Sequence, residues 1–179
     1  YYPAAAIAKS DGGASTLTLR ADRHIRMEPG ASIINANSDA PLNVVFNSNA
    51  NGKSGGEVRI SEAQILTNGG NVTIGGGPDP AKGFAQGVWD RQSPSNVGIA
   101  IVDSTIDVRT TGANNLPSGD GGAGSIVMRG RGDPIGPFGA GVVLDRSTMQ
   151  SARGDIRVLG VSDGESGTGV AANGTRTGV

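Results

Sequence analysis

An all-β fold of stacked parallel coils, with about three short strands per coil, is predicted by three observations. Helical periodicity is missing, because glycine, 31 of 179 residues, interrupts the windows in which a 3.6-residue apolar repeat could run. Short runs rich in Ile, Val and Thr recur between glycine-rich and small polar corners. These runs also recur in register. Val58, Ile60 and Ile65 align with Ile99, Ile101 and Ile106, and again with Val142, Leu144 and Met149, with the same spacing each time.

Taken in order, residues 1–14 are expected to be a leader entering the repeats, which fill residues 15–179. Strands are expected at 15–20, 24–27, 32–35 and 42–46, then at 57–60, 64–67 and 71–74. The next fall at 98–102, 105–109 and 125–128, and the last at 141–144, 148–151 and 155–159. Val72, Ile126 and Ile156 form a third column, and an earlier unit runs from Ile25 to Ile33 and Leu42. Units of about 30 to 45 residues suit stacked repeats with loop insertions at their corners. The architecture this implies is a right-handed parallel β-helix, its coils about 4.8 Å apart and its interior filled by ladders of like aliphatic residues. A sandwich of hairpins is the alternative, but it does not require the same residue class to return at the same corner.

The corners repeat as well. Glu62, Asp103 and Arg146 share one position, and Ala63, Ser104 and Ser147 the next. Asp103 and Arg146 are therefore expected to form an exposed ion pair on adjacent rungs. Three insertions break the pattern, at 76–96, 112–122 and 131–140, and stacking should bring at least some of them to one side. Loops on a rigid scaffold are where function concentrates.

Composition removes several function classes. A net charge of -1 gives no basic footprint for nucleic acid. The absence of cysteine removes disulfides, thiolate metal sites and cysteine catalysis. No run is long and apolar enough to span a bilayer. The opening Tyr1-Tyr2-Pro3 is no signal peptide, and the chain reads as a piece of a longer one.

Several phrases resemble one family. Leu42-Asn-Val-Val-Phe-Asn-Ser-Asn49, Ile65-Leu-Thr-Asn-Gly-Gly-Asn-Val-Thr-Ile-Gly-Gly-Gly77 and Gly98-Ile-Ala-Ile-Val-Asp-Ser-Thr-Ile106 are similar to the repeat region of two-partner-secretion exoproteins of the filamentous haemagglutinin type. The resemblance covers roughly residues 15 to 179. It implies a long parallel β-helix, exported through an outer-membrane pore-forming partner and secreted or displayed on the surface of a Gram-negative cell. The Asn-Pro-Asn motifs of the family's secretion domain are missing, so this piece resembles shaft. The implied role is a structural and adhesive segment contacting a host-cell receptor, a glycan or a host protein. Haem or iron-carrier acquisition and contact-dependent toxin carriage are the alternatives, and a carbohydrate-active β-helix enzyme ranks behind them.

Candidate binding residues lie in the insertions. Arg131, Gly132 and Asp133 form an Arg-Gly-Asp tripeptide in a Gly/Pro-rich stretch, where a guanidinium and a carboxylate could be offered to an integrin-type receptor. A second copy, Arg153 to Asp155, reads as a corner opening a strand. Trp89, with Phe84 and Arg91, is an aromatic concentration suited to a glycan or protein contact. The preferred alternative is that Trp89 folds back and anchors its own loop, and Phe138 carries the same two readings. His24, the only histidine, reads as a surface-strand residue; a single His cannot make a multi-His metal site, and haem ligation lacks a surrounding pocket. Asp103, Asp107, Asp120 and Asp133 show no clustered acid/base signature. The glycine-rich stretches lack the Lys-Ser/Thr and helix of a phosphate loop. No catalytic residue, metal site or cofactor is expected.

Overall fold

The computed structural model describes residues 4–37, 40–89, 96–111, 117–118, 124–135, 139–163 and 167–178. No helix occurs among them. The chain opens with β1 (Ala6–Lys9) and β2 (Ser15–Arg20). Next come β3 (Ile25–Met27), β4 (Ser32–Asn35) and β5 (Leu42–Ser48), then β6 (Val58–Ser61), β7 (Gln64–Leu66), β8 (Val72–Gly76) and β9 (Ala85–Gln86). They are followed by β10 (Ile99–Val102), β11 (Thr105–Asp107), β12 (Thr110–Thr111), β13 (Pro117–Ser118) and β14 (Ile126–Arg131). The last are β15 (Val142–Asp145), β16 (Thr148–Gln150), β17 (Ile156–Val161), β18 (Val170–Asn173) and β19 (Arg176–Gly178).

The chain visits three parallel sheets in rotation. The first has the order β3-β6-β10-β15-β18, the second β1-β4-β7-β11-β16-β19 and the third β2-β5-β8-β14-β17, with β9 added beside β14. This arrangement is compatible with a parallel solenoid. Among the described residues, β12 and β13 form the one antiparallel strand pair. The residues expected as a leader already belong to the second sheet, since β1 pairs with β4.

Register follows the predicted columns. Ile101 lies opposite Ile60 and Leu144, Ile106 opposite Ile65 and Met149, and Ile126 opposite Val72 and Ile156. The first unit enters the third column at Val44, with Leu42 two residues ahead. Alternation sends every second side chain inward, so the three sheets share one aliphatic core, in which Val58, Ile60, Ile65, Val72, Ile74, Ile101, Ile106 and Ile126 have no exposed surface. Phe46 is the one aromatic residue of this core among the described residues.

A left-handed residue turns the chain from the first sheet into the second. Gly30, Glu62, Asp103, Arg146 and Gly174, at φ of 81°, 48°, 47°, 46° and 56°, each stand two residues before a member of one register column. Such a conformation reverses the chain within a single residue, and three of its occupants tolerate it without being glycine. Because these side chains stack outward, Arg146 Nη2 meets Asp103 Oδ2 at 2.6 Å, as the sequence alignment predicted. The guanidinium's hydrogen bonds hold the Asp103 carboxyl below its ordinary value.

The next column is buried and uses hydroxyls. The Ala63 N–H donates to Ser104 Oγ at 3.1 Å and the Ser104 N–H to Ser147 Oγ at 3.3 Å, so each serine closes the backbone of the rung before it. Ser104→Ala should leave the Ala63 N–H unpartnered inside the protein and lower stability by about 1 to 2 kcal/mol, read from denaturant unfolding. On the outside of the third sheet a similar ladder runs through Asn43, Asn71 and Ser125. Asn43 Oδ1 accepts the Asn71 N–H at 2.9 Å, Asn71 Oδ1 the Ser125 N–H at 2.8 Å, and Ser125 Oγ the Asp155 N–H at 3.1 Å.

Candidate functional site

Chain length varies most where the third sheet hands over to the first. Two of the three insertions, 76–96 and 131–140, fall at this corner on successive rungs, while 112–122 falls between the second and third sheets. Both corner insertions are shorter as loops than expected. In the first, β9 folds back to pair Ala85 with Gly130 and Gln86 with Arg131, and Gln86 also bridges Gly56. In the second, β14 continues through Arg131, because Gly130 lets it pass directly under the Gly141 carbonyl.

That continuation changes the Arg-Gly-Asp reading. The tripeptide was expected on an exposed loop, but Arg131 closes a strand and Gly132 and Asp133 are buried, Asp133 being only 5% exposed. The Asp133 carboxylate is engaged within the fold. Oδ2 accepts the Trp89 N–H at 2.7 Å and Oδ1 the Ile135 N–H at 3.0 Å. The Asp133 N–H in turn donates to the Asn96 carbonyl at 3.0 Å. A receptor metal would have to displace two backbone donors to reach this carboxylate, so the tripeptide acts as a clasp between two loops.

What the clasp presents is apolar. Trp89 is 62% exposed and Ile135 91%, each attached by its own backbone N–H to the same carboxylate. Trp89 therefore does not fold back to cover the core as the sequence suggested; its loop is anchored through Asp133 instead. Arg131 lies beside this pair, with its guanidinium carbon 4.9 Å from the centre of the Phe84 ring and its Nε 3.4 Å from Asp163 Oδ2. The structure thus brings Arg131, Asp133, Phe84 and Trp89 to one corner. Arg91 and Phe138, the other two candidates, lie outside the described residues.

The remaining candidates have structural partners. In the second Arg-Gly-Asp, Ser151 Oγ donates to the Gly154 carbonyl at 2.9 Å and Asp155 precedes β17, which is the corner role expected of it. His24 precedes β3, and its Nδ1 accepts the N–H of Glu57 at 3.2 Å. Asp107 is bound by Arg109 Nη2 at 2.6 Å. Among the described residues no group of three or more His, Cys, Asp or Glu side chains could hold a metal ion.

Comparison with protein families, curated proteins and solved structures finds no match. The functional reading accordingly rests on the geometry of this chain and on the resemblance of its sequence.

Two cavities stand out among the described residues. One, of about 340 Å³, lies at the β1–β3 end of the sheets and is lined chiefly by Ile7, Leu19, Met27, Ala31 and Ile33. Its lining is mostly apolar like the core, with Arg26 and Glu28 as its charged members, and it sits where the aliphatic ladder opens. The other, about 360 Å³, is a groove on the third sheet bordered by Val127, Arg129, Arg157 and Leu159. Sequence reasoning passed over Ile135, Arg129 and Arg157. The alternation Val127-Met128-Arg129-Gly130-Arg131 held the signal: with Met128 inside, Arg129 and Arg131 must face out.

Proposed function

We propose that this chain is a segment of a right-handed parallel β-helix that serves as the shaft of a secreted or surface-displayed bacterial exoprotein, with a contact surface at one corner. The handedness follows from the strong preference of parallel crossovers for the right-handed path. A shaft role is supported by the continuous core and by a register that holds through all three sheets, an arrangement stiff along its axis. The resemblance to filamentous haemagglutinin repeats adds export through an outer-membrane pore-forming partner and contact with a host or neighbouring cell.

The observation that carries the contact role is the Asp133 clasp. Large exposed apolar side chains cost solubility, and a buried carboxylate that fixes two of them together is an investment the shaft itself does not need. Trp89 supplies the type of side chain that dominates interface energetics. The test is cell-surface binding of the purified chain, compared with Trp89→Ala and Ile135→Ser. Both replacements sit at exposed positions, so thermal midpoints should be unchanged while binding weakens about tenfold or more. Wild-type binding by both variants would refute the corner as the contact surface.

A further inference from the structure

Beyond the Trp89 corner, the outer face of the third sheet carries an arginine, Arg129, that pairs with no carboxylate among the described residues. Arg129 lies on β14 opposite Leu159 of β17, one cross-strand position from the Val127–Arg157 pair. Its Nε is buried and has no hydrogen-bond partner among the described residues. Of the neighbouring arginines, Arg157 Nη2 holds Asp155 Oδ2 at 2.5 Å, and Arg131, whose Nε likewise lacks a hydrogen bond, has Asp163 Oδ2 3.4 Å away, whereas Arg129 has no such ion pair among the described residues. Among the described residues around the groove, the guanidiniums of Arg129, Arg131 and Arg157 thus meet the carboxylates of Asp155 and Asp163, and the uncompensated charge is Arg129. Burying a guanidinium nitrogen without an acceptor is unfavourable unless a ligand supplies one.

We propose that this groove binds the carboxylate of an acidic saccharide. A planar guanidinium fork matches a carboxylate in bidentate fashion. Arg157, on the diagonal and with its side chain 74% exposed, is within reach of the same group. The surplus of a single positive charge suits a monoanion better than a phosphate dianion or a nucleic-acid backbone. The flanks are apolar, Val127 on one side and Leu159, 43% exposed, on the other, which fits the CH face of a pyranose ring. Along β14 the same face leads past Arg131 and its Phe84 to exposed Trp89, a stacking surface for a further sugar unit. The groove deepens the contact-surface reading and rests on it, giving that surface a ligand class.

The experiment is calorimetric titration of the chain with a uronic-acid oligosaccharide, its carboxyl-reduced neutral counterpart and a neutral oligosaccharide carrying sulfate instead. The uronic oligosaccharide should bind at least about tenfold more tightly than the other two. Arg129→Gln should lose that difference, Arg157→Gln should reduce it, and Arg20→Gln, on the same sheet but distant in β2, should leave it intact. Equal binding of charged and reduced forms, preference for the sulfated form, or an unchanged Arg129→Gln would overturn the proposal. If the cell-binding test succeeds while every titration fails, the groove is refuted and the Trp89 corner stands. If both fail, the contact reading falls with it.

Discussion

Replacing Ile101 with alanine should lower the free energy of unfolding by about 3 kcal/mol or more. Ile101 has no exposed surface and sits between Ile60 and Leu144 in the same column. The truncation removes apolar surface from the core and leaves a cavity that neighbouring rungs cannot close, because their spacing is set by the backbone hydrogen bonds of three sheets. Val170, 41% exposed at the far end of the same sheet, provides the comparison. Val170→Ala should cost well under about 1 kcal/mol, since little of its side chain is withdrawn from water. Chemical denaturation of the two variants measures the contrast. Equal losses would mean that the columns are not a continuous core.

Gly130→Ala should be comparably damaging, at about 3 kcal/mol, although it adds a single methyl group. A Cβ at Gly130 would overlap the carbonyl oxygen of Gly141. That oxygen accepts the Ile99 N–H at 3.0 Å, so it cannot retreat without breaking a bond of the first sheet. Gly130 is itself fixed between Ala85 and Gly160. The strain must therefore spread along β14 into Arg131 and the Asp133 clasp. Thermal unfolding measures the loss, and Trp89 fluorescence, from the chain's only tryptophan, should report the loosening of its loop. A variant with wild-type stability would show that the sheet junction has slack.

The columns were legible in the sequence because they depend on local alternation and on like residues recurring at like spacing. Ile60, Ile101 and Leu144 could be aligned with no knowledge of the fold, and the Asp103–Arg146 pair followed from that alignment. Features formed across the junctions were not legible in the same way. The burial of Asp133 depends on Trp89, a residue 44 positions away and on another rung. The tripeptide looked exposed because the glycines and prolines around it resemble a loop, whereas Gly130 serves close backbone approach. The pairing of buried Glu57 with Arg26, 3.0 Å apart, joins two rungs through residues whose local patterns are unremarkable as surface charge. Short strands such as β9 and β12, each of two residues, lie below the length at which alternation can be read.

The central claim is that each circuit of the chain lies one rung above the last, in the register described. A chain without cysteine allows a direct test. Ser61 and Val102 are register partners on neighbouring rungs, and Asp145 lies one rung further in the same column. Adjacent rungs are about 4.8 Å apart, within disulfide reach, while two rungs, roughly 10 Å, are beyond it. On mild oxidation, the Ser61→Cys/Val102→Cys variant should form an intramolecular disulfide, and Ser61→Cys/Asp145→Cys should not. Cross-linking of the second pair in place of the first would contradict the stack.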